Sequence, residues 1–368
     1  MSRRIRRTLV TAAVAIVVMA AGPATTAGSL TAIADMSEAR MAHTATLLAD
    51  GRVLVAGGFT EAGSARGAQA YDAATRRFSP LPPMLTTRHS HTATRLRDGR
   101  VLIVGGLGAG NTTLATAEIF NPVTNTFSPA GTLQEARAGH VAVLLDDGRI
   151  LLAGGLGLGW TFLSSAELYD PASGTFSRTG SMTAPRESHV GLLLRDGRAF
   201  IVGGHRGRRS EMVLYSSAEA YDPRTGRFSH VADMSIRRHK HDAVLLQDGR
   251  VLVTGGSTTR DYDERYASSE IFDPAAVKFS DGPTLNRPRY KHAGSSVLLQ
   301  SGQVLIAGGA TEAEVYDART KTFSIVAGSS RLTGHFSAVA PLADGNVLIT
   351  GGYGSDVGPR ATAWLYRR

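Results

Sequence analysis

One pattern recurs along the chain and constrains its fold more than any other feature. Its first copy, residues 43–58, reads HTATLLADGRVLVAGG: an apolar run, an Asp-Gly turn, a second apolar run and a closing glycine pair. Strand-forming residues on both sides of Asp-Gly predict a tight β-hairpin, because glycine supplies the positive φ that such a turn requires. Each copy therefore predicts two antiparallel strands.

The closing glycine pair recurs about every fifty residues, which is the period of propeller blades and not of most helical arrays. Seven such pairs are present, and we therefore expect seven blades. The pairs lie at Gly57-Gly58, Gly105-Gly106, Gly154-Gly155, Gly203-Gly204, Gly255-Gly256, Gly308-Gly309 and Gly351-Gly352.

A third and a fourth strand are predicted after each glycine pair, across a loop of variable length. In six copies an aromatic residue ends the third strand, and a phenylalanine follows seven positions later in the fourth. Most of the intervening turns contain Asn-Pro or Asp-Pro, which favour turn dihedrals. We expect these aromatic pairs to fill the layer between neighbouring blades. They are Tyr71 and Phe78, Phe120 and Phe127, Tyr169 and Phe176, Tyr221 and Phe228, Phe272 and Phe279, and Tyr316 and Phe323.

The seventh copy ends at Arg368, before a fourth strand can form. Residues 29–33 look like the end of a repeat whose beginning is missing, with Leu30 at the position of the phenylalanine. We therefore predict an all-β fold, a seven-bladed β-propeller of four-stranded antiparallel blades spanning residues 28–368, whose last blade is closed by an N-terminal strand at residues 29–33. Closure gives every blade two neighbours and limits exposed sheet edges.

Residues 1–27 have the composition of a secretory signal peptide. Arg3, Arg4, Arg6 and Arg7 precede a short apolar run and a stretch of small residues. The run is short for a membrane span, and an uncleaved anchor is the alternative interpretation. Without these four arginines the net charge falls from +9 to +5, which gives little reason to expect nucleic-acid binding. We expect a secreted monomer of the extracellular space or cell envelope, with no membrane contact beyond the signal.

The complete repeat resembles a known family. Arg-x-x-His, an apolar strand, the Asp-Gly turn, a second strand, Gly-Gly and two spaced aromatics are similar to the Kelch repeat in its secreted, galactose-oxidase-like variety, over residues 29–368. The fourth strand carries phenylalanine where many Kelch repeats carry tryptophan. The resemblance implies that the first strand of each blade lines a central channel and that the fourth strand lies outside.

The direction of the strands assigns the loops to two faces. The Asp-Gly and Asp-Pro turns share one face and are short. The loops after Gly-Gly and the connections that carry Arg-x-x-His share the other face, where loop length varies. Variable loops on a rigid scaffold are where binding usually resides, and we therefore expect the ligand on this second face.

The Arg-x-x-His signature precedes each first strand and supports three hypotheses. The arginines could form a cationic ring that binds an anionic ligand through bidentate contacts. The histidines could bind a metal ion. Alternatively, residues repeated in every blade serve the blade itself by bonding to backbone carbonyls. We assign a structural role to His43, His91, His140, His189, His241, His292 and His335, and name as ligand-binding candidates Arg88, Arg137, Arg186, Arg238 and Arg289, in a series that begins at Arg40 and is broken by Leu332.

The spacing after the histidine differs in the last two copies. From His292 to Gly302, and from His335 to Gly345, the distance is ten residues instead of eight. An insertion of two residues keeps every side chain on its original face of the sheet.

Two aromatic residues in the variable loops are further ligand-binding candidates. Trp160 follows Gly159 in the loop of the third copy and could stack on a sugar ring or an aromatic partner. Tyr262 lies in the segment RDYDERY at residues 260–266, which mixes carboxylates with tyrosines, and a self-paired surface loop is the alternative there.

The copper-radical chemistry of galactose oxidases is not expected. In those enzymes a Tyr-His pair binds copper and a second tyrosine is cross-linked to a cysteine, whereas here no tyrosine directly precedes any of the seven histidines and the chain has no cysteine. We assign no metal, cofactor or catalytic residue. The expected function is a secreted binding or scaffold module for a carbohydrate, an acidic small molecule or an extracellular protein. The alternatives are an enzyme acting on an acidic sugar and a component of a cell-envelope assembly.

Overall fold

A computed structural model describes residues 28–330, 332, 334–354 and 356–368. The predicted signal peptide, residues 1–27, lies outside the described residues, and that prediction stays untested. No helix in the described part of the chain is long and apolar enough to cross a membrane.

Seven antiparallel sheets of four strands each form the predicted propeller. The first strands of neighbouring blades lie side by side in a closed ring around the central channel. From the channel outward the strands are Thr44–Leu47, Val53–Ala56, Ala68–Asp72 and Arg77–Leu81 in blade 1; Thr92–Arg95, Val101–Val104, Thr116–Asn121 and Thr126–Thr132 in blade 2; Val141–Leu144, Ile150–Ala153, Ala166–Asp170 and Thr175–Arg178 in blade 3; Val190–Leu193, Ala199–Val202, Ser217–Asp222 and Arg227–Asp233 in blade 4; Asp242–Leu245, Val251–Thr254, Ser269–Asp273 and Lys278–Asp281 in blade 5; Ser296–Leu298, Val304–Ile306, Glu314–Asp317 and Thr322–Ile325 in blade 6; and Ala338–Pro341, Val347–Thr350, Ala363–Arg367 and Ser29–Ala32 in blade 7.

The loops after the glycine pairs contain short elements of their own. Two of them are small hairpins, Phe59–Thr60 with Gly63–Ser64 and His205–Arg206 with Val213–Leu214. Single turns of 3₁₀-helix occur at Ala109–Asn111, Leu158–Trp160, Arg209–Glu211 and Asp261–Asp263.

The N-terminal strand closes the ring as predicted. Ser29–Ala32 pairs antiparallel with the third strand of blade 7, and Leu30 lies opposite Tyr366. The backbone N–H of Leu30 also donates to the carbonyl of Ala327 in the neighbouring blade, at 2.8 Å. The closing strand therefore joins the two ends of the chain and contacts blade 6 as well.

The hydrophobic core is divided into layers between adjacent blades. Leu54 of blade 1 packs in one cluster with Ile103 and Phe120 of blade 2, and all three are buried. The ring of Phe127 lies 4.9 Å from that of Phe120, centroid to centroid, and is half-buried. The predicted position of the aromatic pairs between blades is confirmed, with the fourth-strand member nearer to solvent.

The two faces are arranged as the strand directions predicted. On the first face, Arg52 beside the Asp-Gly turn of blade 1 donates to the carbonyl of Pro122 in the third turn of blade 2, at 3.0 Å. On the second face, the N–H of Gly58 donates to the carbonyl of Arg88, at 2.9 Å. The variable loops and the Arg-x-x-His segments thus surround the same end of the channel.

Candidate functional site

The arginines of the repeat are interior structural residues. Arg88 has no exposed surface, and its Nη1 donates to the carbonyl of Gly105 at 2.7 Å. Its Nη2 donates to Glu118 Oε1 at 2.8 Å, and Glu118 in turn accepts the backbone N–H groups of residues 85 and 86. Arg88 and Glu118 together supply hydrogen-bond partners to the carbonyl of Gly105 and to the N–H groups of residues 85 and 86, which would otherwise lack partners.

The same ion pair recurs through the propeller. In blade 1 its place is taken by Arg40 with the half-exposed Glu38. The expectation that these arginines form a ligand-binding ring at the channel mouth is not what the structure shows, because their guanidinium groups are completely buried and bonded within the blade. The corresponding fully buried pairs are Arg137 with Glu167, Arg186 with Glu219, Arg238 with Glu270, and Arg289 with Glu314.

Six histidines of the repeat also serve the framework, at the contact between adjacent blades. His91 Nε2 lies 3.1 Å from Thr44 Oγ1 of the preceding blade. A Cβ placed on Gly57 would lie 2.7 Å from the ring of His91, so this position requires glycine. Burial, and secondarily the charge of Arg186, lowers the pKa of His189 to about 3. The six buried rings are His43, His91, His140, His189, His241 and His292.

The assignment of His335 to this series is wrong. Gly334, and not Leu332, occupies the arginine position, because its carbonyl accepts the N–H of the second glycine of blade 6. Ser337 takes the histidine position, two residues after His335, and contacts the glycine pair of its own blade there. The spacing from Ser337 to Gly345 is then eight residues, and blade 7 has no insertion.

Blade 6 contains the predicted two-residue insertion, and Asp242 of blade 5 holds it by hydrogen bonds. Residues between His292 and Ser296 bulge out of the strand, and the buried carboxylate of Asp242 receives the N–H groups of Gly294 and Ser296 at 2.9 and 2.7 Å. Asp242 lies in the first strand of blade 5, so the bulge joins two blades.

A ring of left-handed residues surrounds the channel mouth. The residue immediately before the histidine position has a φ between +51° and +61° in every blade. Backbone hydrogen bonds join successive members in six of the seven steps around the mouth, for example from the N–H of Lys291 to the carbonyl of Lys240 at 2.8 Å. The members are Ala42, Ser90, Gly139, Ser188, Lys240, Lys291 and Phe336.

Together with the residue before it, each ring member forms a variable pair inside the repeat. Blades 1 to 3 place small, apolar and histidine side chains there. Blades 4 to 7 place charged, polar and aromatic side chains, and we call these eight residues the polar arc. In blade order the pairs are Met41-Ala42, His89-Ser90, Ala138-Gly139, and then the polar arc of Glu187-Ser188, His239-Lys240, Tyr290-Lys291 and His335-Phe336.

A chain of acidic and imidazole groups runs through the polar arc. Glu187 Oε2 lies 3.5 Å from His205 Nε2, and the Nδ1 atoms of His205 and His239 are 3.2 Å apart. His239 Nε2 lies 3.1 Å from Asp261 Oδ1. Both carboxylate oxygens of Asp261 also accept hydrogen bonds from the Lys240 ammonium, Oδ1 at 2.8 Å and Oδ2 at 2.7 Å. The loop at residues 260–266 therefore contacts the mouth instead of pairing only with itself.

The environment shifts the pKa values of these linked side chains in different directions. Burial raises the pKa of Glu187 and lowers that of His205 to about 3. Burial alone would also raise the pKa of Asp261, but hydrogen bonds from His239 and Lys240 hold it well below its usual range. Perturbed groups of this kind concentrate at functional sites.

Lys291 supplies a cation at the mouth. Its Nζ donates to the Tyr353 hydroxyl at 2.7 Å and lies 5.0 to 5.7 Å from the ring centroids of Tyr290, Tyr353 and Phe336. Among the described residues no carboxylate forms an ion pair with it. Cation–π contacts orient such an ammonium group without neutralising its charge.

Trp160, one of the two aromatic candidates of the loops, lies on this face. The Trp160 side chain is 42% exposed, and the guanidinium of Arg208 stacks over it at 4.1 Å. Phe162 contacts the ring of His205. The side chain of Tyr262 lies outside the described part of the structure, and its assignment stays a prediction.

A cavity of about 560 Å³ occupies the channel beneath the ring. Its lining includes five of the eight residues of the polar arc, namely Glu187, Ser188, Lys240, Lys291 and Phe336. No group of three or more His, Cys, Asp or Glu side chains in the described segments is arranged to hold a metal ion.

Sequence reasoning missed the polar arc because it followed the constant positions of the repeat. Arg and His recur and were treated as candidates, whereas the two residues between them change from blade to blade. That variation, on the face already assigned to binding, was the available signal. The contacts of Asp261 with this arc had no signal in the repeat, because loop length and conformation determine them.

Comparisons with known proteins agree with this architecture. A model described as the Kelch motif matches residues 88–134, 137–183 and 188–235. No curated protein matches the chain. One similar solved structure is described as a novel fungal alcohol oxidase with catalytic diversity among the AA5 family, in complex with copper; it shares 15% identity, with a TM-score of 0.74, over 93% of this chain and 76% of that one. The chain thus carries Kelch motifs in three repeats on a seven-bladed propeller with a fold similar to the galactose-oxidase-like AA5 fold.

Proposed function

We propose that the propeller is a binding module whose ligand is a small carboxylate-bearing carbohydrate or other small acid, held at the channel mouth by the polar arc. The observation that carries this proposal is Lys291, a cation at the cavity without an ion-pair partner among the described residues. A carboxylate placed beside it would gain a charge-assisted hydrogen bond in a partly enclosed site.

Neighbouring groups support a sugar-like ligand in particular. Phe336 is 39% exposed at the mouth and offers an apolar ring face, while the hydroxyl of Ser188, which also lines the cavity, can accept a hydrogen bond. Lys240 lies next to Lys291 in the ring and donates to Asp261. Polar sites that combine a few charged groups with aromatic rings are typical of small-ligand pockets.

A binding experiment on the full chain tests this function. Titration calorimetry with galacturonic acid should show binding, and neutral galactose should bind at least tenfold more weakly. Lys291→Met should weaken binding of the acid by tenfold or more, which corresponds to about 1.4 kcal/mol. Lys278→Met, on the outer strand of blade 5, is the matched control. Equal affinity for the neutral sugar, or an unchanged affinity in Lys291→Met, would contradict the proposal.

Catalysis on an acidic sugar is a second candidate function, and one observation favours it. The linked side chains of Glu187, His205, His239 and Asp261 provide acid and base groups, and Glu187, whose pKa is raised, lines the cavity. A binding module has no need of such a chain.

Export is also proposed for this protein. It is supported by the arginine-rich start and short apolar run of residues 1–27. N-terminal sequencing of the protein recovered from an expressing culture tests it: a mature chain beginning near residue 28 in the medium or envelope is expected, and an intact N-terminus in the cytoplasm would contradict it.

A further inference from the structure

The carboxylate of Glu187 is held on one side and open on the other. Its Oε2 accepts the Ser188 hydroxyl at 2.8 Å and faces His205 at 3.5 Å. Its Oε1 forms no hydrogen bond with the described residues and lies over Gly139, where an added Cβ would stand 3.0 Å away. Gly139 is the only member of the mouth ring without a side chain, so no Cβ lies over Oε1 there, and both residues line the cavity.

The groups behind Glu187 form three contacts in series: carboxylate to imidazole, imidazole to imidazole, and imidazole to carboxylate. Each contact is a hydrogen bond only if one proton lies in it. With both carboxylates ionised and both imidazoles neutral, the series holds two protons for three contacts. The contact left without a proton is then the one between Glu187 Oε2 and His205, so Glu187 remains an ionised carboxylate that can take up a proton at Oε1.

Two lysines line the same cavity as Glu187, and one of them, Lys240, also pairs with Asp261. Lys240 and Lys291 are adjacent members of the ring, and Lys240 follows Ser188 in it. A ligand with a carboxylate and a neighbouring carbonyl could place one oxygen group against each lysine. A carbonyl polarised in this way acidifies the adjacent C–H, and the same ammonium would stabilise the enolate oxygen.

We infer that Glu187 is a general base that removes a proton from the carbon next to the carbonyl of a 2-oxo carboxylate bound by Lys240 and Lys291. The C–H bond breaks, its proton goes to Glu187 Oε1, and the electron pair forms the C=C bond of an enolate. Reprotonation at carbon regenerates the substrate, so the net reaction is hydrogen exchange and needs no oxidant or cofactor. His205, His239 and Asp261 are positioning residues that hold the carboxylate and complete the hydrogen-bonded series. This inference rests on the proposed binding of small acids at the polar arc.

The burial of Glu187 supports this role, because burial raises its pKa and makes it a stronger base when ionised. The charged and titratable groups that act on it are Lys240, His239 and Arg208, together with His205 in contact. The positive charges of Lys240 and Arg208 oppose the effect of burial.

Solvent-deuterium exchange into 2-oxobutyrate tests the inference. Proton NMR of the C3 position in D₂O, with the full chain at pH 7, should show exchange faster than in buffer. Glu187→Gln should lower the protein-dependent rate by about 100-fold or more, the usual contribution of a general base. Glu61→Gln, at an exposed loop tip, is the matched control and should leave the rate unchanged.

Two further variants separate chemistry from folding. Glu187→Asp keeps the charge but withdraws the carboxylate, and a partial rate with an unchanged melting temperature is expected. His205→Gln should shift the pH–rate profile, whereas a purely structural role would lower the rate equally at every pH. Calorimetric binding of 2-oxobutyrate without exchange would overturn the inference and leave the binding function standing. If 2-oxobutyrate neither binds nor exchanges, the inference is overturned. If galacturonic acid also fails to bind, the proposed binding function is overturned as well.

Discussion

The buried arginine–glutamate pair of blade 2 makes a prediction whose size follows from the structure. Arg88→Leu removes a completely buried cation and leaves Glu118, which is 2% exposed, without its ionic partner. It also leaves the carbonyls of Gly105 and Thr116 without the hydrogen bonds that Arg88 supplies. Loss of one partner of a buried ion pair typically costs about 3–5 kcal/mol, because the other charge stays in a place of low polarity.

That free energy translates into a measurable melting temperature. The unfolding entropy of globular proteins is about 2.1 cal/mol/K per residue, and the propeller has roughly 340 residues, so 3–5 kcal/mol lowers Tm by about 4–7 °C. Differential scanning calorimetry of the wild-type and variant chains measures the shift directly. A Tm decrease below about 1 °C for Arg88→Leu would refute the assignment of the pair as the main support of the glycine-pair carbonyls.

A second substitution tests the cause of the loss. Glu118→Gln retains an oxygen for the backbone N–H groups of residues 85 and 86 but removes the negative charge. In Arg88→Leu/Glu118→Gln neither charge is left buried, and the double variant should be about 2 kcal/mol more stable than the sum of the single losses predicts. Arg100→Leu is the matched control, because its pair with Asp98 is partly exposed and such pairs contribute under about 1 kcal/mol. Additive losses would contradict the ionic explanation.

Three further predictions concern the framework. The buried histidines stay neutral in the folded protein, and the pKa of His189, for example, is lowered to about 3. In the unfolded chain they take up protons below about pH 6.5, so each one lowers the free energy of unfolding by about 1.4 kcal/mol per pH unit as the pH falls below that value. A Tm that is flat between pH 7 and 4.5 would contradict this. Leu30→Asp buries a carboxylate in the closing strand and should lower Tm by several degrees, whereas an unchanged melting curve would exclude closure by this strand. Phe120→Ala should cost about 3–5 kcal/mol and Phe127→Ala clearly less, because only the first ring is fully buried; equal losses in chemical denaturation would refute that difference.

The fold was predictable because each local signal repeats seven times in phase. A single Asp-Gly turn between apolar runs predicts one hairpin, but six such turns and one Ser-Gly turn at the same period also fix the number of sheets and their order. The closing strand was predictable for the same reason, since Leu30 stands at the spacing that Phe228 occupies in its own repeat. The expected alignment of blade 7 is wrong because His335 is a histidine that lies two positions before the residue that matches the repeat. The structure shows Ser337 at that position, and the eight-residue distance to Gly345 is the spacing shared with blades 1 to 5.

The chemistry of the arginines was not predictable from their pattern alone. A basic residue repeated near a channel mouth is equally compatible with an anion site and with an interior ion pair. The distinction lies in Glu118 and its equivalents, two positions before the third-strand aromatic, which a search for Arg-x-x-His does not connect with the arginine. Blade 7 has neither residue, with Gly334 and Trp364 in their places, whereas blade 1 keeps Arg40 with Gln69 at the glutamate position and pairs the arginine with Glu38 instead.

Repetition itself separates the residues that build the propeller from those that could serve a ligand. A position that has the same residue in nearly every blade serves a structural requirement of the blade, such as hydrogen-bond donors for the carbonyls beside each glycine pair. A ligand at the end of the channel contacts the blades unequally, so its contacts should come from positions where the blades differ. The two residues between arginine and histidine meet that condition, since their backbone is fixed by the hydrogen-bonded ring while their side chains are free to vary. Catalytic or binding groups introduced there would not disturb the blade, and the concentration of Glu187, Lys240 and Lys291 in one arc of that ring follows this logic.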